Sequence, residues 1–338
     1  MISLGIIICT YQRPDKLRSL IKNILLADPL PQEIIVVDAS TETYQTGKDE
    51  QGVRIIKSNH ANQPYQRYVG YLAAKSDVLL YLDDDMEIVH PNFINVVLNI
   101  FIQRPQISGV ALHFTNKQLI NALSDIPTSN LFRKNGMFKR FKNKLSGYPD
   151  LPAGQLGWCG NRGPQPAGGG FTQWLSGGAF VAKRNCLYQN FNFQLFDLFE
   201  QKKGMGEDAL LGYTLHHQSP LYYHPELLFY HNDENESHYS LDHFLYARRV
   251  LFSRLFMSLE VQRLNQSSGI PALFHYHWYS LFRIGGYVLN FLKHPDARRK
   301  NTLLGSFRGW LDTLSFKFER SGKRNQYWMH EASQNINL

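Results

Sequence analysis

The chain has 338 residues, of which 43% are hydrophobic and 19% are charged, and its formal net charge is +8 at pH 7. This composition is typical of a globular protein, and it excludes a fully disordered chain and a fibrous repeat. The length corresponds to about one large α/β domain with an appendage, or to about two average domains.

The positive charge is concentrated towards the C-terminal end. Residues 1–239 contain 22 basic and 22 acidic side chains, whereas residues 240–338 contain 14 basic and 6 acidic ones. Concentrated positive charge favours an anionic surface, such as nucleic acid or lipid headgroups. The neutral first part of the chain and the basic second part are therefore expected to have two separate functions.

The cysteine content and the hydropathy pattern indicate a compartment. Three cysteines, Cys9, Cys159 and Cys186, form neither a disulfide framework nor a zinc-binding spacing, so a reduced, cytoplasmic compartment is expected. Residues 1–9 lack the basic start and the cleavage site of a signal peptide. The aromatic stretch 270–292 contains two histidines and an arginine, so no transmembrane segment is predicted.

Short apolar runs alternate with helical patterns in the first hundred residues. Strands are predicted at residues 4–9, 33–38, 53–57 and 78–82, and helices at residues 15–26, 64–74 and 91–102. This alternation predicts a parallel sheet with helical crossovers. Residues 121–170 are predicted to be irregular, order returns at 172–183 and 221–231, and helical patterns follow at 241–264, 271–292 and 302–318.

Polar residues directly follow three of the predicted strands. They are the pair Thr10 and Tyr11, then Asp38, and then the cluster Asp83, Asp84 and Asp85. Ligands of parallel sheets bind beyond the carboxyl ends of the strands. These residues should therefore converge on one edge of the sheet.

The cluster of three adjacent carboxylates has two interpretations. The carboxylates repel one another unless a cation lies among them, and hard divalent cations prefer oxygen ligands. In extended backbone Asp83 and Asp85 point to one face and Asp84 to the other. Asp83 and Asp85 can thus form a D-x-D pair that holds Mn²⁺ or Mg²⁺ against a diphosphate. An acidic turn in solvent is the equally compatible alternative.

Two further sites allow both a structural and a chemical interpretation. Glu207 and Asp208 lie where a loop enters a helix, and a carboxylate there is either an N-cap or, separate from the metal pair, a general base. His231 ends an apolar run, where a histidine is more often structural. Its place directly after a predicted strand nevertheless makes it the best candidate for a nitrogen ligand of the metal.

Six segments occur in an order and spacing that resemble the family 2 glycosyltransferases. They are CTYQRPDKL (9–17), IIVVDAS (34–40), YLDDDMEI (81–88), WLSGGAFVAKR (174–184), GEDALL (206–211) and LLFYH (227–231). The resemblance covers about residues 1–235 and implies an inverting enzyme with the GT-A fold. That fold is α/β, with a mixed, mostly parallel sheet flanked by helices, and here it carries a C-terminal helical extension.

The resemblance implies a role for each matching residue. Donor binding is assigned to Thr10, Tyr11, Asp38, Arg67, Asp83 and Asp84, and the sugar and acceptor region to Trp174, Gly177, Gly178 and Glu207. Asp208 is the expected catalytic base, and Asp85 and His231 are the expected ligands of Mn²⁺ or Mg²⁺. Around Arg67, the segment ANQPYQRYVGY (61–71) departs from the family's usual Gly-rich, Arg-Asn form.

We therefore expect a metal-dependent, inverting, hexosyltransferase-type glycosyltransferase. It would move a sugar from a nucleotide-diphosphate donor, with a UDP-sugar favoured, to a hydroxyl of a glycan or lipid-linked acceptor in surface polysaccharide synthesis. One alternative is a non-catalytic sugar-nucleotide-binding protein, against which the intact acidic residues argue. Another is a nucleic-acid-binding protein that uses the basic region, although no groove-reading motif supports it.

The charge distribution also suggests a division of the chain. We expect a catalytic domain over residues 1–238 and a basic, aromatic-rich helical region over residues 239–338. Helices packed on the catalytic domain, with solvated basic faces, explain much of the second region. The second interpretation is a peripheral surface that meets anionic lipid at the inner face of the plasma membrane.

Overall fold

The structure of the chain is a computed structural model that describes residues 2–116, 150–188, 190–232, 242–315 and 322–337. The part of the predicted irregular segment that covers residues 121–149 lies outside the described residues. Within them, the chain forms a mixed sheet with helices on both faces and a group of helices that follows the last strand. The predicted α/β fold with a C-terminal helical extension is confirmed.

The described residues contain nine strands in one sheet. The strands are β1 (Leu4–Thr10), β2 (Glu33–Asp38), β3 (Val53–Lys57), β4 (Val78–Asp83), β5 (Met86–Ile88), β6 (Gly109–Asn116), β7 (Gly170–Thr172), β8 (Ala179–Lys183) and β9 (Leu221–His231). Their order is β3-β2-β1-β4-β8-β6-β9-β5, and β7 pairs with β9. Because β5, β7 and β8 alone run against the others, the sheet is mixed but mostly parallel.

Ten helices are present in the described part of the chain. They are α1 (Pro14–Leu25), α2 (Gln63–Ala73), α3 (Phe93–Gln103), α4 (Arg184–Leu187), α5 (Phe193–Glu200), α6 (Glu207–His216), α7 (His243–Leu264), α8 (Gly269–Lys293), α9 (Ala297–Leu314) and α10 (Gly322–Asn337). The strands and helices predicted in the first hundred residues are confirmed, with ends that differ by at most two residues. Helix α10 was not predicted.

The first strands are buried on both faces, as their continuous apolar sequences require. In β1, Ile6 and Ile8 pack into the core beneath α1 and α3, whereas Ile7 packs into the core beneath α2. This division follows from the alternation of side chains along a strand. The parallel register pairs Thr10 with Asp38 and Cys9 with Asp83, so the carboxyl ends of β1, β2 and β4 lie side by side.

Helix α2 lies close to the sheet because a glycine faces β1. A Cβ atom at Gly70 would come within 2.5 Å of the side chain of Ile7. The helix begins after Asn62, whose side chain accepts a hydrogen bond from the backbone N–H of Tyr65. These contacts place Arg67, in the middle of α2, under the carboxyl end of β4.

Helix α10 packs back onto α2 and α5. Trp328 of α10 is buried, and its indole N–H donates to Asp197 Oδ1 at 2.9 Å. Asn335 Nδ2 donates to Tyr65 Oη of α2 at 2.6 Å. None of the helices in the described ranges is both long and apolar enough to cross a membrane.

Helices α7 and α9 pack against each other through two glycines. A Cβ atom at Gly305 would overlap the backbone of Phe244, and one at Gly309 would overlap the backbone of Arg248. Gly305 and Gly309 lie four positions apart on the same face of α9, which lets the backbones of the two helices approach closely. The contact therefore depends on the absence of side chains at these positions. The side chain of Arg248 then reaches Asp312 Oδ2 at 2.6 Å.

The substitution Gly309→Ala should lower the free energy of unfolding by about 1–3 kcal/mol, because the added methyl group overpacks the contact between α7 and α9. The matched control is Gly285→Ala in α8, since a Cβ atom at Gly285 meets no atom within 4 Å. That control should raise stability by up to about 1 kcal/mol, the helix propensity gain. Thermal denaturation followed by circular dichroism measures the stability of both variants. Equal changes in stability would contradict the close contact between α7 and α9.

Candidate active site

The three carboxylates lie in a tight turn at the end of β4. Strand β4 ends at Asp83, the backbone turns at Asp84 and Asp85, and β5 begins at Met86. The prediction that these residues alternate in extended backbone is therefore wrong. The turn leaves Asp83 and Asp85 in one cluster and directs the carboxylate of Asp84 towards β1.

A candidate metal site is formed by Asp83, Asp85 and His231. One ligand atom from each of these residues lies within 4.8 Å of the others. The pairing of β5 with β9 aligns Met86 with His231 and thereby brings the histidine beside the turn. Oxygen and imidazole ligands of this kind suit a divalent cation.

The surroundings of Asp85 support a cation at this place. Its Oδ1 is buried and lies 3.2 Å from His231 Nε2, yet it accepts no well-aligned hydrogen bond. Burial opposes ionisation of Asp85, but His231, Arg13 and Lys16 outweigh this effect and hold the pKa of Asp85 below its ordinary value. Asp85 is thus held as a carboxylate with an oxygen available to a ligand, and the three residues fit a divalent metal ion.

Arg13 joins the turn to the end of β1. Its Nη1 lies 3.1 Å from Asp84 Oδ1 and 3.0 Å from Asp85 Oδ2. Thr10 Oγ1 donates to Asp84 Oδ2 at 2.8 Å. Sequence reasoning missed Arg13, although a cation that closely follows a strand end beside three acids was a usable signal.

Arg67 connects the two acidic parts of the site. Its Nη2 lies 3.3 Å from Asp83 Oδ1 and its Nη1 lies 3.1 Å from Glu207 Oε1. Nη2 also donates to the backbone oxygen of Gly177 at 2.8 Å, and the guanidinium lies over the ring of Phe180. Its side chain is only 4% exposed, so this cation is fully committed to the interior of the site.

The electrostatics around Arg67 favour its charged form and oppose ionisation of its neighbours. Burial works against the charge of Arg67, but the carboxylates of Glu207 and Asp83 outweigh it and raise the pKa of Arg67. Burial, aided by Asp85, Asp84 and Glu207, raises the pKa of Asp83 to about 7 despite Arg67. Such a perturbed group in a polar cluster is typical of a functional site.

Asp208 lies at the start of α6. The N-cap is Gly206, with φ of 84°, and no side chain caps the helix, so the interpretation of Asp208 as an N-cap is wrong. Asp208 is buried, and its Oδ1 lies 2.9 Å from Arg162 Nη2. A Cβ atom at Gly177 would lie 3.4 Å from Asp208 Oδ2, so the lack of a side chain there leaves room beside this oxygen.

The residues assigned to the sugar and acceptor region have different surroundings. Trp174 is buried, and the guanidinium carbon of Arg162 lies 5.2 Å from the centroid of its indole ring. The indole N–H of Trp174 has no hydrogen-bond partner. Gly177 faces Asp208, whereas a Cβ atom at Gly178 would overlap Met86. Gly178 is thus required for packing. Arg162 was missed because it lies in an irregular, Gly-rich segment.

The residues at the ends of β1 and β2 border a cleft. Thr10 and Asp38 line it together with Ser40 and Tyr44. The carboxylate of Asp38 is buried and accepts hydrogen bonds from the backbone N–H groups of Ser40 at 2.8 Å and of Tyr44 at 2.7 Å. Tyr11 is half exposed and lies on a second cleft that also contains Gln63.

Gln63 is a further residue that sequence reasoning missed. Its Nε2 donates to Asp83 Oδ1 at 2.8 Å from the first turn of α2. Part of the sequence-predicted set is therefore brought together around the turn. Thr10 contacts Asp84, and Arg67 contacts Asp83, Glu207 and Gly177. Asp38 and Tyr11 lie on the two neighbouring clefts.

The raised pKa of Asp83 predicts a stability effect of Asp83→Asn that depends on pH. The folded pKa of about 7 lies above the unfolded value of about 3.9, so ionisation of Asp83 costs stability as the pH rises between these values. With chelator present, Asp83→Asn should therefore be more stable than the wild type at pH 8, by at least about 1 kcal/mol, and the gain should vanish near pH 4.

The control for this experiment is Asp77→Asn at the opposite edge of the sheet. Hydrogen bonds from the backbone N–H and the hydroxyl of Ser3, at 2.9 and 2.8 Å, lower the pKa of Asp77. Its carboxylate adds stability above the unfolded pKa, so Asp77→Asn should lose stability at pH 8. Melting temperatures of both variants and the wild type are measured across this pH range. If both variants were more stable, or both less stable, than the wild type at pH 8, the raised pKa of Asp83 would be contradicted.

Comparisons with known proteins find a similarity to one family in the first half of the chain. The model of the family described as glycosyl transferase family 2 matches residues 5–155. In a comparison with curated proteins, no match to this chain was found.

Solved structures similar to the chain include two of S. aureus TarS and one of a mycobacterial protein. The crystal structure of S. aureus TarS 1-349 has 13% identity and a TM-score of 0.45, and the match covers 95% of each chain. The mycobacterial protein has 15% identity and a TM-score of 0.42 over 76% of this chain and 74% of its own. S. aureus TarS has 12% identity and a TM-score of 0.47 over 99% of this chain and 54% of its own.

The segment that matches the family model runs from β1 past β6. It includes the ends of the first strands, Arg67 and the acidic turn at Asp83. The sheet, the turn and the family match agree with one another. Over residues 5–155, the chain is therefore similar to glycosyl transferase family 2.

Proposed function

We propose that the chain transfers a sugar from a nucleotide-diphosphate donor, with a UDP-sugar favoured, to a hydroxyl of a glycan or lipid-linked acceptor in surface polysaccharide synthesis. The observation that carries this proposal is the position of Arg67 between Asp83 and Glu207. This one guanidinium contacts both the candidate metal site, through Asp83, and the start of α6, through Glu207. Asp208 follows Glu207 on the same helix. Such an arrangement suits a reaction that needs charge stabilisation and a base on the two sides of one sugar.

The donor side of the site is supported by the clefts at the carboxyl ends of β1 and β2. Thr10, Tyr11 and Asp38 border these clefts, and Arg13 and Arg67 pair with the acids of the turn. A nucleoside can lie against Tyr11 while its diphosphate reaches towards the turn. The arginines favour the negative charge that grows on the departing diphosphate.

A divalent cation, Mn²⁺ or Mg²⁺, would be held by Asp83, Asp85 and His231. Once bound, it would supply Lewis-acid neutralisation of the diphosphate leaving group. Arg13 keeps Asp84 and Asp85 in place around this position, and Asp84 acts on the donor side through its contact with Thr10.

Asp208 is proposed as the general base. Its Oδ2 accepts the proton of an acceptor hydroxyl while the hydroxyl oxygen attacks the anomeric carbon, and the bond between that carbon and the diphosphate oxygen breaks. Arg162 holds Oδ1 and fixes the orientation of the carboxylate. Attack from the face opposite to the leaving group gives inversion at the anomeric carbon.

The acceptor side is supported by Trp174 and Arg162. The buried indole N–H of Trp174 can donate to a sugar hydroxyl, and Arg162 contacts both the ring of Trp174 and the carboxylate of Asp208.

In this proposal the catalytic domain comprises residues 1–238 and works in the cytoplasm. The basic helices of residues 239–338 complete the wall of the cleft near Tyr11 through Leu245, Tyr246 and Arg249.

The substitution Asp208→Asn should reduce transfer by about 100- to 10,000-fold, because the amide cannot accept the proton of the acceptor. Donor binding should change little, since the donor lies on the other side of Arg67. Turnover of nucleotide-sugar with an acceptor panel and binding of the nucleoside diphosphate are measured separately. The control is Glu226→Gln, a half-exposed acid on β9. Normal turnover of the Asp208 variant would exclude this residue as the base.

The substitution Asp85→Ala should remove the dependence of donor binding on metal, because one of three ligands is lost. At a ligand concentration of about 100 Kd, UDP with Mn²⁺ should stabilise the wild type by about 2.7 kcal/mol, and UDP alone by less. Thermal shift with several nucleoside diphosphates, with and without Mn²⁺, measures this difference. Asp49→Ala on an exposed loop is the control. An unchanged response of the Asp85 variant to Mn²⁺ would place the cation elsewhere.

A further inference from the structure

Helix α8 buries few of its residues and exposes many large apolar side chains. Its buried residues are Ala272, Tyr276, Tyr279 and Ser280, all in the N-terminal half of the helix. Its exposed apolar residues are Ile270, Leu273, Phe274, Trp278, Leu281, Val288, Leu289 and Leu292. Leu292 is 70% exposed and Phe274 is 73% exposed. A helix that packs only on a protein core shows the opposite pattern.

Helix α9 repeats this inverted pattern. Its buried residues are Gly305, Ser306, Gly309 and Thr313. Its exposed apolar residues are Leu304, Phe307, Leu311 and Leu314. Small residues in a helix contact, with large apolar side chains directed outwards, are the packing that helices adopt in lipid, where outward apolar groups carry no cost. In water, such contiguous apolar surface marks an interaction site.

The two helices form one unit on α7. Tyr276 Oη of α8 donates to the backbone oxygen of Leu251 in α7 at 3.1 Å. Trp310 Nε1 of α9 donates to His277 Nδ1 of α8 at 3.1 Å. Because Gly305 and Gly309 of α9 and Tyr276 of α8 face α7, the exposed apolar side chains of both helices lie on the surface away from it. We call this surface the α8–α9 face.

The charges of α8 and α9 indicate what meets this face. Residues 269–314 contain six basic side chains, Arg283, Lys293, Arg298, Arg299, Lys300 and Arg308, and two acidic ones, Asp296 and Asp312. Both acids are already paired with arginines, Asp296 with Arg299 and Asp312 with Arg248 and Arg308. Helix α8 itself contains no acid. Cations that flank apolar side chains match the headgroups and acyl chains of anionic lipid.

We propose that the α8–α9 face docks onto the surface of an anionic lipid bilayer, with α8 lying in the interface. Neither helix is apolar enough to span a bilayer, so interfacial binding is the available mode. A second copy of the chain fits this face less well, because pairing it with itself would bring two sets of unbalanced cations together. The proposal concerns where the enzyme works and is independent of the assigned catalytic residues.

Vesicle flotation tests the proposal with the full chain. Wild-type protein should float with phosphatidylcholine vesicles that contain phosphatidylglycerol, remain below with pure phosphatidylcholine, and lose binding at high salt. The double variant Leu281→Ser and Leu292→Ser should reduce the partition coefficient at least about tenfold, because two exposed leucines are lost from the interface. The variant Arg298→Glu with Lys300→Glu should reduce it on anionic vesicles by a similar factor.

The matched controls carry the same changes on other faces of the molecule. They are Ile102→Ser, which is 61% exposed on α3, and Lys22→Glu, which is exposed on α1. Both should float like the wild type. Melting temperatures confirm folding of every variant. The proposal would be overturned if neither double variant of the α8–α9 face changed the flotation. So would a wild-type dimer in light scattering that the leucine variant converts to monomer while flotation stays the same.

Discussion

The buried guanidinium of Arg67 is the interaction on which the site depends. It is held by Asp83 from the turn after β4, by Glu207 from the start of α6, and by the backbone of Gly177 before β8. Without this cation, Asp83 and Glu207 would face each other and the acids of the turn with no compensation in a region of low exposure. One residue in the middle of α2 therefore allows three distant parts of the chain to meet beside the end of β4.

Much of the fold could be predicted from the sequence because the first strands are short apolar runs that end in polar residues. Thr10, Asp38 and Asp83 lie side by side because strand direction alone brings their positions together. His231 also ends a strand, but it reaches the acids through the pairing of β5 with β9. By contrast, the tight turn at Asp84 depends on the antiparallel return of β5 against β9, a tertiary pairing that local sequence does not encode.

The residues that were missed share a physical cause. Arg13, Gln63 and Arg162 act as counterions and hydrogen-bond donors to acids that are distant in sequence. Nothing in local periodicity marks such partners. The role of Arg162 also depends on the irregular segment before β7, which is held by Arg254 Nη1 donating to the backbone oxygen of Cys159 at 2.9 Å. The C-terminal helices thereby contribute to the position of a residue that contacts Asp208.

The packing of α10 connects residues 322–337 with the helix that carries Arg67. Asn335 donates to Tyr65, which lies two positions before Arg67 on the same helix, and the ring of Trp328 lies 5.1 Å from that of Tyr65. The last helix is thus a brace for the helix that carries the central cation. Loss of α10 would therefore weaken the support of a buried cation that this helix never touches.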